Sequence, residues 1–140
     1  MNYPPAKDRD PQTARARPHT CEDQLTSNQP RTWFIDFDGT LVAHSSHMRD
    51  EDHILEGTKD FFMSFVKEND YVVITTARGE DHKGRVEGFL AKNDIRFDLV
   101  LCGLPTGPRI LVNDSKPCGT QTAYSYNLER DKGILSVDWD

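Results

Sequence analysis

Trp33-Phe34-Ile35-Asp36-Phe37-Asp38-Gly39-Thr40-Leu41 sets two carboxylates two positions apart at the end of an apolar run. Apart from Asp36, residues 33–37 are aromatic or β-branched, the composition of a central strand buried on both faces, where a charge is costly without a partner. Gly39-Thr40 then turns the chain, so Asp36 is expected near the carboxyl end of the strand with Asp38 just beyond it. Open α/β sheets place their ligands at that edge. Two acids this close repel, and a cation between them relieves the repulsion. Magnesium suits the position, because it prefers oxygen, needs only one or two protein carboxylates and keeps its other positions for water or substrate phosphate. A carboxylate beside such an ion can attack phosphorus, and its neighbour can move protons to and from oxygen.

The rest of the chain supplies a frame for this stretch. Strand-like runs near 33–37, 71–76, 98–102 and 109–113 alternate, over the first two intervals, with helical patterns. Thr58 to Lys67 sets Phe61, Phe62, Phe65 and Val66 on one stripe, and Asp81 to Asn93 does the same with Val86, Phe89 and Leu90. Residues 122–128 suggest a last strand. Alternating elements with right-handed crossovers predict a parallel sheet flanked by helices, gathering three acidic strand ends at one edge.

Tyr71-Val72-Val73-Ile74-Thr75-Thr76-Ala77-Arg78 ends a buried-looking strand in two hydroxyls and an arginine. Alternation of side chains allows only one of Thr75 and Thr76 to face the site. The fork of Arg78 suits phosphate or another anionic group. Arg109-Ile110-Leu111-Val112-Asn113-Asp114 is a third such run, again ending in an acid.

Asp36-Phe37-Asp38-Gly39-Thr40-Leu41 resembles the first motif of the haloacid dehalogenase-like (HAD) phosphatases, written DxDGTL. The resemblance covers residues 32 to about 134 and is similar to small bacterial and phage HAD-like hydrolases. It implies a three-layer Rossmann-like α/β fold without a large cap domain, with a magnesium-dependent phosphatase site. In it Asp36 is the nucleophile, Asp38 the acid/base that also offers its main-chain carbonyl to magnesium, and Gly39 and Thr40 belong to the substrate-binding turn, which Thr40 stabilises. Thr76 aligns with the phosphate-binding hydroxyl of the second motif, Thr75 lying one residue away, and Arg78 with a substrate-gripping arginine. Asn113 and Asp114 stand at the fourth motif and complete the metal site; which of the two touches the ion stays open. The third motif departs from the pattern, since Leu104 in Gly103-Leu104-Pro105 stands where a lysine is expected. Arg109 is the favoured substitute, with Lys116 and Lys83 as alternatives.

The short Val42–Gly57 linker leaves no room for a large cap, which implies an open site. Such a site accepts macromolecular ends or is closed by a neighbouring subunit, and a homo-oligomer fits the resemblance on those grounds. The expected substrate is a phosphorylated small molecule, a sugar phosphate first. The alternatives are a polynucleotide-end phosphatase and a non-catalytic binding module. His44, His47 and His53 in the linker have no spacing typical of a closed metal site and are read as a loop shaping access beside Asp38.

Composition narrows the field further. At 140 residues with a formal charge of −6, the chain is a poor general trap for nucleic acid, whose affinity rests on Lys and Arg neutralising phosphates. Residues 1–30 are proline-rich, polar and without apolar periodicity. They read as a disordered tail of balanced charge ahead of a single domain at 31–140. No stretch is long and apolar enough to span a membrane or to act as a secretory signal, which predicts a soluble cytoplasmic protein. Cys21, Cys102 and Cys118 lack zinc-like spacing, and reduced thiols are expected.

Overall fold

The computed structural model describes residues 29–44 and 51–139. The chain divides into two compact units, one holding Pro30–Pro108 with Tyr126–Asp140, the other including Arg109–Ser125.

The first unit carries a parallel sheet of β1 (Thr32–Asp36), β2 (Tyr71–Thr75) and β3 (Leu99–Leu101), in the order β1-β2-β3. Phe34, Val73 and Leu99 share one row, and Asp36, Thr75 and Leu101 another. Helix α1 (Thr58–Phe65) joins β1 to β2, and α2 (Lys83–Lys92), entered through a 3-10 turn at Glu80–His82, joins β2 to β3. Helix α1 starts at Gly57, whose φ of 87° only glycine adopts freely, and ends where Val66 becomes extended. It is two residues shorter than the apolar stripe suggests.

The aromatic stripes are core. Phe61, Phe62, Val86 and Leu90 join Ile35, Phe37, Val72, Ile74 and Val100 in one cluster. Phe61 meets Trp33 edge-on at 5.4 Å and Trp139 at 4.8 Å. With strands in sequence order, two right-handed crossovers put both helices on the same side of the sheet. The described elements of this unit make a small parallel α/β sheet with flanking helices, and on the face away from them Val73 and Thr75 of the central strand are buried. The opposite face shows Phe34 at 58%, Tyr71 at 47% and Leu101 at 37% exposure. Strand β1, expected at the centre, is an edge, and β2 is the strand flanked on both sides.

The segments after β3 correct two further expectations. Residues 109–113 form no strand, and Ile110, Leu111 and Val112 are exposed. Nor do residues 122–128 form one. An apolar run specifies a strand only when a neighbour accepts its backbone hydrogen bonds. Here the local bonds run instead from Asn113 Nδ2 to Thr122 Oγ1 at 2.8 Å, and from Thr122 Oγ1 to the Asp114 carbonyl. Cys118 is disulfide-bonded, against the expected reduced thiol. Cys102 is free and buried, so an odd number of cysteines leaves room for a bridge.

Candidate active site

The two acids of the opening stretch occupy the carboxyl end of β1. Phe37 extends the strand by one bond, its N–H donating to the Thr75 carbonyl at 3.0 Å, and its own carbonyl then accepts from Leu41 and Val42 at 3.0 and 3.1 Å. Phe37, Leu41 and Val42 are fully buried, which anchors the turn from below. Gly39 closes it with φ of 84° and an N–H bond to the Val42 carbonyl at 2.7 Å. Asp36 and Asp38 are thus presented by a loop whose apolar residues point into the core. Thr40 Oγ1 donates to Asp36 Oδ2 at 3.2 Å and orients that carboxylate.

The end of β2 meets Asp38. Thr76, fully buried, donates its hydroxyl to Asp38 Oδ2 at 2.9 Å and accepts from the Arg78 N–H at 3.1 Å. Alternation sets Thr75 beside Asp36 in the register and leaves Thr76 to reach Asp38. Arg78 donates Nε and Nη2 to Asp38 at 3.1 and 2.7 Å. Its Nη1 and Nη2 donate to Asp52 at 3.1 and 2.7 Å. Its guanidinium carbon lies 4.9 Å from the centre of the Phe37 ring, within cation–π range. Arg85 Nε adds a contact to Asp52 at 3.3 Å. Burial alone would lower the pKa of Arg78, but the hydrogen bonds and charges of Asp52 and Asp38 outweigh it and push the pKa up.

Thr76 and Arg78 were expected to grip substrate phosphate. In the structure the Thr76 hydroxyl donates to Asp38, and the Arg78 guanidinium divides its donors between Asp38 and Asp52. Asp52 carries half of the arrangement and escaped sequence reasoning. In Arg49-Asp50-Glu51-Asp52-His53 it is one acid among several, and nothing local separates a buried ligand of arginine from a solvated one. Its segment is held by antiparallel bonds from Ala43 N–H to the His53 carbonyl at 3.1 Å and from Leu55 N–H to the Leu41 carbonyl at 2.8 Å. Of the linker histidines, His44 and His53 are exposed and His47 lies outside the described residues.

Arg109, Asn113 and Asp114 belong to the other unit, where all three are exposed. Among the described residues no group of three or more His, Cys, Asp or Glu side chains converges in metal-binding range. Asp36 and the oxygens of its turn still fit a magnesium ion in part, because that ion accepts a site with one or two protein carboxylates. A cleft of about 360 Å³ bordered by Phe62, Met63, Asp94 and Arg96 lies near the amino end of β3, away from these acids, and gathers no comparable chemistry. No helix among the described residues is long and apolar enough to cross a membrane. No family model, curated protein or solved structure matches the chain.

Proposed function

We propose that the chain is a magnesium-dependent phosphatase of HAD-like architecture that hydrolyses a phosphomonoester, a small sugar phosphate first among the candidates, in the cytoplasm. One observation carries the reading: Asp36 and Asp38 stand together on a buried-anchored turn at the carboxyl end of β1, with Asp38 locked by Thr76 and Arg78. Asp36, oriented by Thr40, attacks phosphorus. The bond to the leaving oxygen breaks, and an aspartyl-phosphate forms. Asp38 protonates that leaving oxygen. In the second half it removes a proton from the water that attacks the aspartyl-phosphate, which restores Asp36 and readies Asp38 for the next cycle. Magnesium, held by Asp36 and oxygens of its turn, would neutralise charge on the phosphoryl group.

Phosphate release from sugar phosphates, nucleotides and 3′- or 5′-phosphorylated oligonucleotides tests the reading, with magnesium, with chelator and with Asp36→Asn. Magnesium-dependent release that vanishes in the variant is the expected result, and oligonucleotides ranking first would move the substrate to polynucleotide ends. A binding module is the second reading, favoured by the engagement of both Asp38 oxygens with Arg78. Ligand binding without hydrolysis of any ester would decide for it.

A further inference from the structure

Arg130 lies against the acidic turn, and the chain goes to some length to keep it there. A Cβ placed on Gly39 would meet Arg130 Cγ at 3.2 Å, so the stem of the arginine crosses the glycine between Asp38 and Thr40. The next residue fixes that placement. Asp131 N–H donates to the Gly39 carbonyl at 2.9 Å, and Asp131 Oδ1 accepts from the His44 N–H at 2.7 Å. Asp131 does this with φ of 64°, a left-handed conformation that aspartate adopts more readily than most non-glycine residues. Residues 126–140 belong to the same compact unit as the turn.

The charges around the turn show what such an arginine would serve. Asp38 and Asp52 pair with Arg78 and Arg85, and Asp36, at the start of the same turn, adds a further carboxylate where a phosphate dianion would have to approach. Arg78 is enclosed by Asp38 and Asp52, with 2% of its side chain exposed. Arg130 is exposed, and among the described residues it makes no hydrogen bond or ion pair. A guanidinium offers five donors in a planar fork that matches the oxygens of a phosphate.

We propose that Arg130 is a substrate-binding residue that grips the non-bridging oxygens of the phosphate presented to Asp36. The proposal rests on the phosphatase reading above and adds Arg130 to Arg109, Lys116 and Lys83 as a cation that can stand in for the missing third-motif lysine. It makes the Glu129–Lys132 turn part of the site.

Arg130→Gln and Arg130→Lys test it by two readouts. Binding of inorganic phosphate, followed by calorimetry, is expected to weaken about 10- to 100-fold in Arg130→Gln, the scale of losing charge-assisted hydrogen bonds, and less in Arg130→Lys. In turnover of the sugar phosphates the same variant raises KM by a similar factor, with the unfolding midpoint unchanged because the side chain is exposed. Wild-type phosphate affinity in Arg130→Gln would overturn the assignment and leave the phosphatase reading standing. Phosphate binding that depends on Arg130, with no ester hydrolysed by the wild-type chain, would sink the phosphatase reading and keep Arg130 as an anion-binding residue. A wild-type chain that neither binds phosphate nor releases it would overturn both.

Discussion

Asp70 shows how much one buried acid can organise. At 2% exposure it accepts from Arg31 N–H at 2.9 Å, Arg31 Nη2 at 2.7 Å, Trp33 Nε1 at 2.9 Å and Lys67 N–H at 2.9 Å. It ties the start of β1 to the start of β2, at the end of the sheet away from Asp36 and Asp38. Burial by itself would raise its pKa, but the bonds from Arg31, Trp33 and the two main-chain amides hold it well below the usual carboxylate range. A depressed native pKa adds stability that is complete above the unfolded value of about 3.9 and fades as pH falls toward the native one. Asp70→Asn should therefore cost about 3 kcal/mol at pH 7, the scale of removing one partner from a buried pair. Urea unfolding of both proteins at pH 7 and pH 2.5 checks the sign, since the gap between them must narrow in acid. Asp52 obeys the same logic at the site. Asp52→Asn leaves Arg78 with one carboxylate, and a double-mutant cycle with Arg78→Met should return a coupling of at least about 1 kcal/mol in stability. Additive effects would mean that the two side chains do not act as a unit.

Among the elements, those with a strong period were legible. The Phe61-Phe62-Phe65 and Val86-Phe89-Leu90 stripes specify α1 and α2, and the short apolar runs before, between and after them specify β1, β2 and β3. The Asp36–Leu41 turn was legible for another reason, because Gly39 at φ of 84° has few substitutes. Gly39→Ala must accept a left-handed alanine and press on the Arg130 stem, and it is expected to lose about 1–2 kcal/mol in thermal unfolding. Arg109–Asn113 shows the limit of periodicity. Ile110-Leu111-Val112 has the composition of a buried strand, yet strand pairing is a property of two segments, and nothing within one of them records whether the other is present. The partners of Thr76 and Arg78 were hidden for a related reason. Their residue types announce phosphate chemistry, while their bonds to Asp38 and Asp52 span 38 to 40 and 26 positions of sequence.

At the scale of the molecule, the consequence of the strand order is a sheet with two unlike faces. Parallel sheets usually have both faces covered, and their strands read as continuous apolar runs for that reason. Trp33-Phe34-Ile35 reads that way, but its neighbours in space divide it: Ile35 sits at 5% exposure in the core cluster, and Phe34 at 58% on the other face. Two substitutions one residue apart separate the faces. Ile35→Lys puts a charge among Phe61, Ile74 and Leu90 and should abolish cooperative unfolding, because an unpaired buried charge costs several kcal/mol of a total of about 5–15. Phe34→Lys should leave the unfolding midpoint within about 0.5 kcal/mol of wild type, as substitutions at exposed positions do. Circular dichroism melts of the two variants give the answer directly. A large loss in Phe34→Lys would mean that this face is covered in solution, by the remainder of the chain or by a second copy, and sedimentation velocity of the wild-type chain would separate those two. The same contrast bears on the site, because Asp36 shares its sheet face with Phe34 by strand alternation, and whatever covers Phe34 also limits access to Asp36.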